Sequence, residues 1–149
     1  MTSRIAPLID TWYKDWFRNE QMYNNWARKH GLNYNELFAV YVLHSTRGCT
    51  PSHIAQFLSI SKQTVNSLLG RLEKRGIITR VPSPQDRRSC LVMLNPEGTA
   101  WAEEILDDLK AVEYRVFSSF SQEELEHMID INTRLTDRFS AEMQEGQSP

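Results

Sequence analysis

A mainly α-helical fold carrying one small β-hairpin is what the sequence predicts, on three observations. Apolar residues recur at i, i+3, i+4 and i+7 over most of the chain. The exception is Ile77 to Leu94, where two short apolar, partly β-branched runs flank Pro82-Ser83-Pro84-Gln85-Asp86. Residues suited to helix ends stand between the periodic segments. With 149 residues, 40% of them hydrophobic, the chain can bury a real core and is expected to form one domain over 1–149. No repeat or linker divides it.

The first helix carries Ile5, Leu8, Ile9, Trp12, Tyr13, Trp16, Phe17, Tyr23 and Trp26 at helical spacing and ends at His30-Gly31, where Gly suits a left-handed residue. So aromatic a stripe exceeds what a lone surface helix leaves exposed, so it should pack against another helix or another subunit. Asn33 or Asn35 caps a second helix through Leu37, Phe38, Tyr41 and Val42, ending near Arg47-Gly48. Thr50-Pro51 opens a short third helix with Ile54, Ala55, Phe57 and Leu58 inward. After a break at Ser59-Ile60, Ser61 caps a longer helix over 61–75, with Val65, Leu68, Leu69 and Leu72 inward and Gly76 as its stop. Ile77 to Val81 and Ser89 to Leu94 form the hairpin, its tip basic. Asn95-Pro96-Glu97 starts a helix with Trp101, Ile105, Leu109, Val112, Val116 and Phe120. Ser121-Gln122-Glu123-Glu124 has capping-box spacing and opens a last helix with Leu125, Met128, Ile129, Leu135 and Phe139, and the polar tail after Met143 is expected to be disordered. Two helices joined by so short a turn, the second longer and basic, have the spacing of a helix-turn-helix, and the hairpin after them makes it winged.

Charge is unevenly spread. The formal net charge is −2, yet Ser61 to Cys90 holds seven cations (Lys62, Arg71, Lys74, Arg75, Arg80, Arg87, Arg88) against two anions, and four cations face thirteen anions from Leu91 onward. A compact basic segment in an acidic chain is the footprint of a phosphate-binding surface; a merely solvated charged face is the competing reading. No apolar run approaches the roughly 18 residues of a membrane span, and MTSRIAPLID does not read as a secretory signal, so a cytoplasmic protein without membrane partners is expected. Cys49 and Cys90 form no CxxC pair, and His30, His44, His53 and His127 show no i, i+4 pairing, so neither a metal site nor a bound cofactor is indicated. No Gly-rich phosphate loop, H-E-x-x-H or G-x-S-x-G is present, which speaks against an enzyme and leaves no catalytic residues to name.

Burying Val65, Leu68 and Leu72 turns Lys62, Gln63, Asn66, Ser67 and Gly70 to the opposite face of that helix. Gln63 and Asn66 suit an adenine edge, and Lys62 suits guanine acceptors or phosphate. The Ser61 and Thr64 hydroxyls suit phosphate at the helix N-terminus, and Arg71 adds charge further along. A polar solvent face on an ordinary helix is the plain alternative. In the following wing, residues 82–89, Arg87 and Arg88 suit an adjacent minor groove, and Asp86 either pre-orients an arginine through a charge-assisted pair or merely suits the turn.

The run from Ser61 to Ile78, then Arg80, Asp86-Arg87-Arg88-Ser89, Leu91, Leu94 and Gly98, resembles the MarR-type winged-helix regulators. Their recognition helix ends in R-L-E-x-x-G, here Arg71-Leu72-Glu73-Lys74-Arg75-Gly76, and leads into a wing with D-x-R and a later L-T-x-x-G. The resemblance implies that Arg88 contacts the minor groove, that Asp86 supports it, and that the fold comprises a DNA-reading lobe over about 33–98 with dimerisation helices over about 3–30 and 96–143. It further implies a homodimer on pseudo-palindromic double-stranded DNA, a repressor by the commoner habit. Asn95 departs from the family's Thr but caps equally well. The family's redox sensors use a first-helix cysteine, absent here; Cys49, before a helix N-cap, is expected to be inert.

Such regulators commonly bind small aromatic or anionic effectors beside the reading lobe, and Trp16, Tyr23, Trp26, Phe38, Tyr41 and His44 suit the lining of such a pocket. Plain core is the competing reading for each. A winged helix used for protein contacts, or as an architectural DNA binder without operator specificity, is the rival function; the polar and basic groups at the helix face and wing, where a protein-binding wing would carry apolar anchors, favour DNA.

Overall fold

The computed structural model describes residues 2–86 and 88–145. Its elements run α1 (Thr2–Lys29), α2 (Tyr34–Thr46), α3 (Pro51–Leu58), α4 (Lys62–Lys74), β1 (Ile78–Pro82), β2 (Cys90–Leu94), α5 (Pro96–Phe117) and α6 (Gln122–Glu145). The chain divides into two compact units, residues 1–106 and 107–149, with the boundary inside α5.

In the first unit α2 is the central helix. Leu37, Ala39, Val40, Val42 and Leu43 are all buried, so it is apolar nearly all round, as a helix with neighbours on every side must be. It packs against α3, α4 and β2, and the same core buries Ile54 of α3, the four inward residues of α4, Val92 of β2, and Ala102, Ile105 and Leu106 of α5. Asn33, not Asn35, caps α2: its Oδ1 accepts from the Glu36 amide while a Glu36 oxygen accepts from the Asn33 amide, both at 2.9 Å. Thr50 caps α3 in the expected way, with Pro51 in the first turn. Ser59 takes a left-handed conformation (φ 53°) to make the sharp turn into α4. Phe57, expected inward, is 55% exposed, because the buried face of this short helix is filled by Ile54 and Ala55; its ring lies against Tyr41.

The strands pair antiparallel from Ile78↔Leu94 to Pro82↔Cys90; each begins one residue later than the sequence suggests, and the first runs on through Pro82, which the sequence placed in the turn. Cys49 and Val92 exchange both backbone hydrogen bonds, so the α2–α3 connection adds a rung to β2. Asn95 closes the hairpin: its amide nitrogen donates to the Gly76 carbonyl, its oxygen accepts from the Gly98 amide at 2.7 Å, and its backbone donates to Ile77. A single bifunctional amide thus joins the end of the hairpin to the start of α5. The start of α5 thereby lies so close to Ile77 that a Cβ on Gly98 would stand 2.0 Å from the Ile77 carbonyl oxygen.

The second unit holds the rest of α5, a tight turn and α6. Phe120, expected on the α5 helix, lies in that turn, its amide bonded to the Phe117 carbonyl. The capping box forms as expected, Glu124 accepting from Ser121 and Ser121 from Glu124. Those bonds hold the Glu124 carboxyl below its ordinary range. α6 continues helical to Glu145, two residues past the expected end; the remaining tail expectation falls on 146–149, outside the described residues. Among the described residues no helix is long and apolar enough to cross a membrane.

Two glycines give opposite expectations. Gly98→Ala must force α5 from Ile77 and should cost about 2–3 kcal/mol. Gly70→Ala, on α4 with open space at its Cβ, should gain about 0.5–1 kcal/mol from helix propensity. Urea unfolding midpoints of the two variants check both signs.

Candidate nucleic-acid interface

Helix α4 is built to show one face. Ser61 caps it, its hydroxyl accepting from the Thr64 amide at 3.1 Å and pairing with the Thr64 hydroxyl at 2.8 Å. Val65, Leu68, Leu69 and Leu72 are fully buried. Lys62, Gln63, Thr64, Asn66 and Ser67 stand exposed on the other side, with Gly70 half-buried. The structure therefore brings the expected reading residues to one continuous polar face, at the positively polarised end of a helix with no acid in its first turn.

The hairpin tip is ordered by backbone bonds. Ser83 donates to the Ser89 carbonyl and Ser89 to the Asp86 carbonyl, each at 3.1 Å. Asp86 Oδ1 accepts from the Arg88 amide at 2.9 Å, an Asx turn. Among the described residues Asp86 makes no ion pair, so of its two expected roles the turn is the one seen here, and a pairing with Arg87 falls outside the described residues. Arg88 is exposed; Arg87 lies outside the described residues.

The end of α4 is tied to its surroundings by residues that sequence reasoning treated only as charge. Arg71 Nε donates to Glu36 Oε1 at 2.6 Å. Arg75 donates to the Gly31 carbonyl at 2.8 Å and its guanidinium lies over the Trp101 ring, 5.2 Å from the centroid. Glu73 pairs with Arg80 of β1 at 3.3 Å. Arg71, expected to add charge toward phosphate, thus already has a protein partner, and Glu36, Glu73 and Arg75 were missed. The Asn33-x-x-Glu36 spacing was the available signal for Glu36. Nothing local in the sequence pairs it with a residue 35 positions away.

The expected pocket residues are spread over α1 and α2. Tyr23 lies against Phe38, centroids 5.5 Å apart, and Trp26 against His30 at 5.6 Å. Tyr41 meets Phe57 at the surface, His44 stands 3.8 Å from Glu103 of α5, and Trp16 is exposed beside Trp12. The Trp26 indole N–H is buried without a hydrogen-bond partner. A cleft of about 240 Å³ opens elsewhere, between the end of α4 and the start of α5, around Arg75, Glu97 and Trp101. Burial pushes the Cys49 thiol above its usual range, more than a hydrogen bond with Thr46 lowers it, opposite to what an activated thiol needs. Among the described residues no three His, Cys, Asp or Glu side chains are placed to hold a metal ion.

The family model described as MarR family matches residues 30–89. The multiple antibiotic resistance protein MarR of Salmonella typhimurium is 30% identical over 68% of this chain and 71% of its own length. The HTH-type transcriptional regulator PecS of Dickeya dadantii is 37% identical over 53% of this chain and 48% of its own, so this chain spans about half the length of that relative. Among solved structures, NMB1585, a MarR family regulator from Neisseria meningitidis, superposes with a TM-score of 0.83 at 24% identity, covering 94% of this chain and 99% of its own. A MarR mutant from E. coli complexed with operator DNA gives 0.72 at 18% identity over 91% and 97%. At these identities the structural likeness carries the fold: a winged helix-turn-helix with long flanking helices.

Asp86 can be tested apart from any ligand. Asp86→Asn keeps the accepting oxygen and should leave Arg88 amide exchange nearly unchanged. Asp86→Ala should speed that exchange several-fold while shifting global stability by less than about 0.5 kcal/mol, as expected of an exposed loop. Equal exchange in both variants would remove the Asx turn as the wing's support.

Proposed function

The chain belongs to the MarR family of transcriptional regulators, and we propose that it acts as a homodimeric reader of double-stranded DNA. In this reading α4 lies in the major groove, with Gln63 and Asn66 at base edges and Lys62, Ser61, Thr64 and Ser67 at bases or phosphates. The wing over 82–89 enters the adjacent minor groove through Arg88, with Arg87 beside it. The observation that carries this is the clean division of α4, four apolar residues fully buried and five polar ones exposed, followed directly by a hairpin whose tip exposes Arg88, its amide held by Asp86.

Dimerisation is supported by exposed apolar stripes. Ile5, Leu8, Ile9, Tyr13, Trp16 and Phe17 on α1 are exposed, as are Met128, Ile129, Ile131 and Met143 on α6. Faces so large and so apolar need covering, and a second copy of the same helices covers them symmetrically. A two-fold dimer carries two recognition helices and calls for a pseudo-palindrome with half-sites about one helical turn apart.

Selection from a random duplex library tests this. Such a pseudo-palindrome should be enriched, with affinity falling steeply in salt. Arg88→Ala should weaken operator binding by about 1–3 kcal/mol and reduce the salt slope by about one. Salt-sensitive binding without an enriched sequence would instead indicate an architectural or protein-contact role.

For control, the proposal is repression relieved by a small aromatic anion. The support is the orphan Trp26 N–H, a buried donor for which a carboxylate or phenolate oxygen is a fitting acceptor, on the same helix as Tyr23, whose ring lies against Phe38 of α2. A panel of phenolic acids should raise the melting temperature and release operator DNA, with both effects lost in Trp26→Phe. If no member does either, effector control through this site is excluded.

A further inference from the structure

The most constrained polar group outside the reading face is Glu36. Its residue is only 6% exposed, and each carboxylate oxygen is used, Oε2 by the Asn33 amide at 2.9 Å and Oε1 by Arg71 Nε at 2.6 Å. A helix cap alone does not require this. Glu124 makes the same kind of cap on α6 while fully exposed. A carboxylate removed from water is held only where donors replace its hydration, and the charged donor here comes from the recognition helix. Arg71 stands one and a half turns beyond Asn66 on α4, and its side chain remains 53% exposed.

We infer that Glu36 is a positioning residue for DNA reading: its carboxylate fixes, through Arg71, the rotation of α4 about its axis, and Arg71 serves orientation and not phosphate neutralisation. The inference rests on the DNA-reading role proposed above. The apolar stripe alone does not set this angle closely. Leucines repack over small rotations, whereas a short charge-assisted bond at a buried site does not. At roughly 6 Å from the helix axis, a rotation of about 20° moves a side-chain tip by about 2 Å, which breaks a base-edge hydrogen bond. Arg75, bonded to the Gly31 carbonyl, holds the last turn of α4 to the same α1–α2 corner, so the helix is fixed at two points one turn apart.

Two conservative variants separate orientation from charge. Glu36→Gln offers one acceptor where two donors converge and removes a negative charge. Arg71→Lys keeps a cation for phosphate but loses the planar Nε donor. Each is titrated, beside the unaltered chain, against the selected operator and a scrambled duplex over a salt series. Both variants should lose about tenfold in operator affinity, equivalent to about 1.4 kcal/mol, with scrambled-duplex affinity and salt slope unchanged. A smaller folded fraction lowers both affinities alike, so the ratio of the two reports positioning even where stability falls. If Glu36→Gln binds both duplexes equally tightly or tighter than the unaltered chain, Glu36 positions nothing. An unaltered ratio in Arg71→Lys, together with an Arg71→Gln variant that loses equally on both duplexes and about one unit of salt slope, assigns Arg71 to phosphate and overturns the inference. An unaltered chain that does not distinguish the two duplexes refutes the DNA-reading premise itself, before any variant is compared.

Discussion

A helix can present one face for recognition only if the opposite face holds it in place. The burial of Val65, Leu68, Leu69 and Leu72 does this for α4, and the rest of the first unit is arranged around it. Each such side chain contributes about 1.5–3 kcal/mol by leaving water, so the stripe outweighs any single polar contact on the helix. Because α2 is buried nearly all round, it acts as the common wall for α3, α4 and β2, and α4 has no second surface on which to settle. The polar face is what this packing leaves over. Its usefulness for reading follows from which residues stand there.

Apolar burial fixes that α4 is held, and the polar joints fix how. The R-L-E-x-x-G segment is a set of attachments: Arg71 to α2, Glu73 to β1 through Arg80, and Arg75 to the α1–α2 turn and to Trp101 of α5. Most of these pairs are half-exposed and individually weak by general experience of surface ion pairs. Glu36 is the exception because both of its oxygens are satisfied at a buried site. A rigid reading helix and an ordered wing are then parts of one construction, since Glu73 ties the first strand to α4 and Asp86 closes the tip of the same hairpin by holding the Arg88 amide.

Much of this was legible in the sequence, for local reasons. Helix periodicity, caps at Thr50, Ser61 and Ser121, a choice of Asn33 or Asn35 for α2, and turn residues from Ser83 to Asp86 are short-range signals, and the structure has elements where they call for them. What was not legible depends on distance or on how much of an element is covered. Phe57 matched the periodic pattern, but an eight-residue helix buries only a narrow stripe, and Ile54 and Ala55 occupy it. Phe120 extended the α5 pattern by one position after the backbone had already turned toward the Ser121 cap. The pairing of Glu36 with Arg71 spans 35 residues, and neither residue type announces its partner. For Asp86 the sequence offered both a pairing with an arginine and a turn role, and the Asx turn, which needs only a short carboxylate two residues before an amide, is the one that forms.

The division of charge gives these local facts a direction. Cations gather between Ser61 and Cys90, the segment that supplies the exposed α4 face and the wing, and anions dominate from Leu91 onward. A polyanion is attracted to the first and repelled by the second, so encounter is steered toward the surface that carries Gln63, Asn66 and Arg88 without any specific contact yet being made. Specificity must then come from short-range geometry. That places the greatest demand on the rotation of α4, because long-range attraction tolerates an error of a few ångströms and a base-edge hydrogen bond does not. On the proposed DNA-reading role, diffuse charge brings the duplex near, and the buried Glu36 carboxylate sets the angle of the helix that reads it.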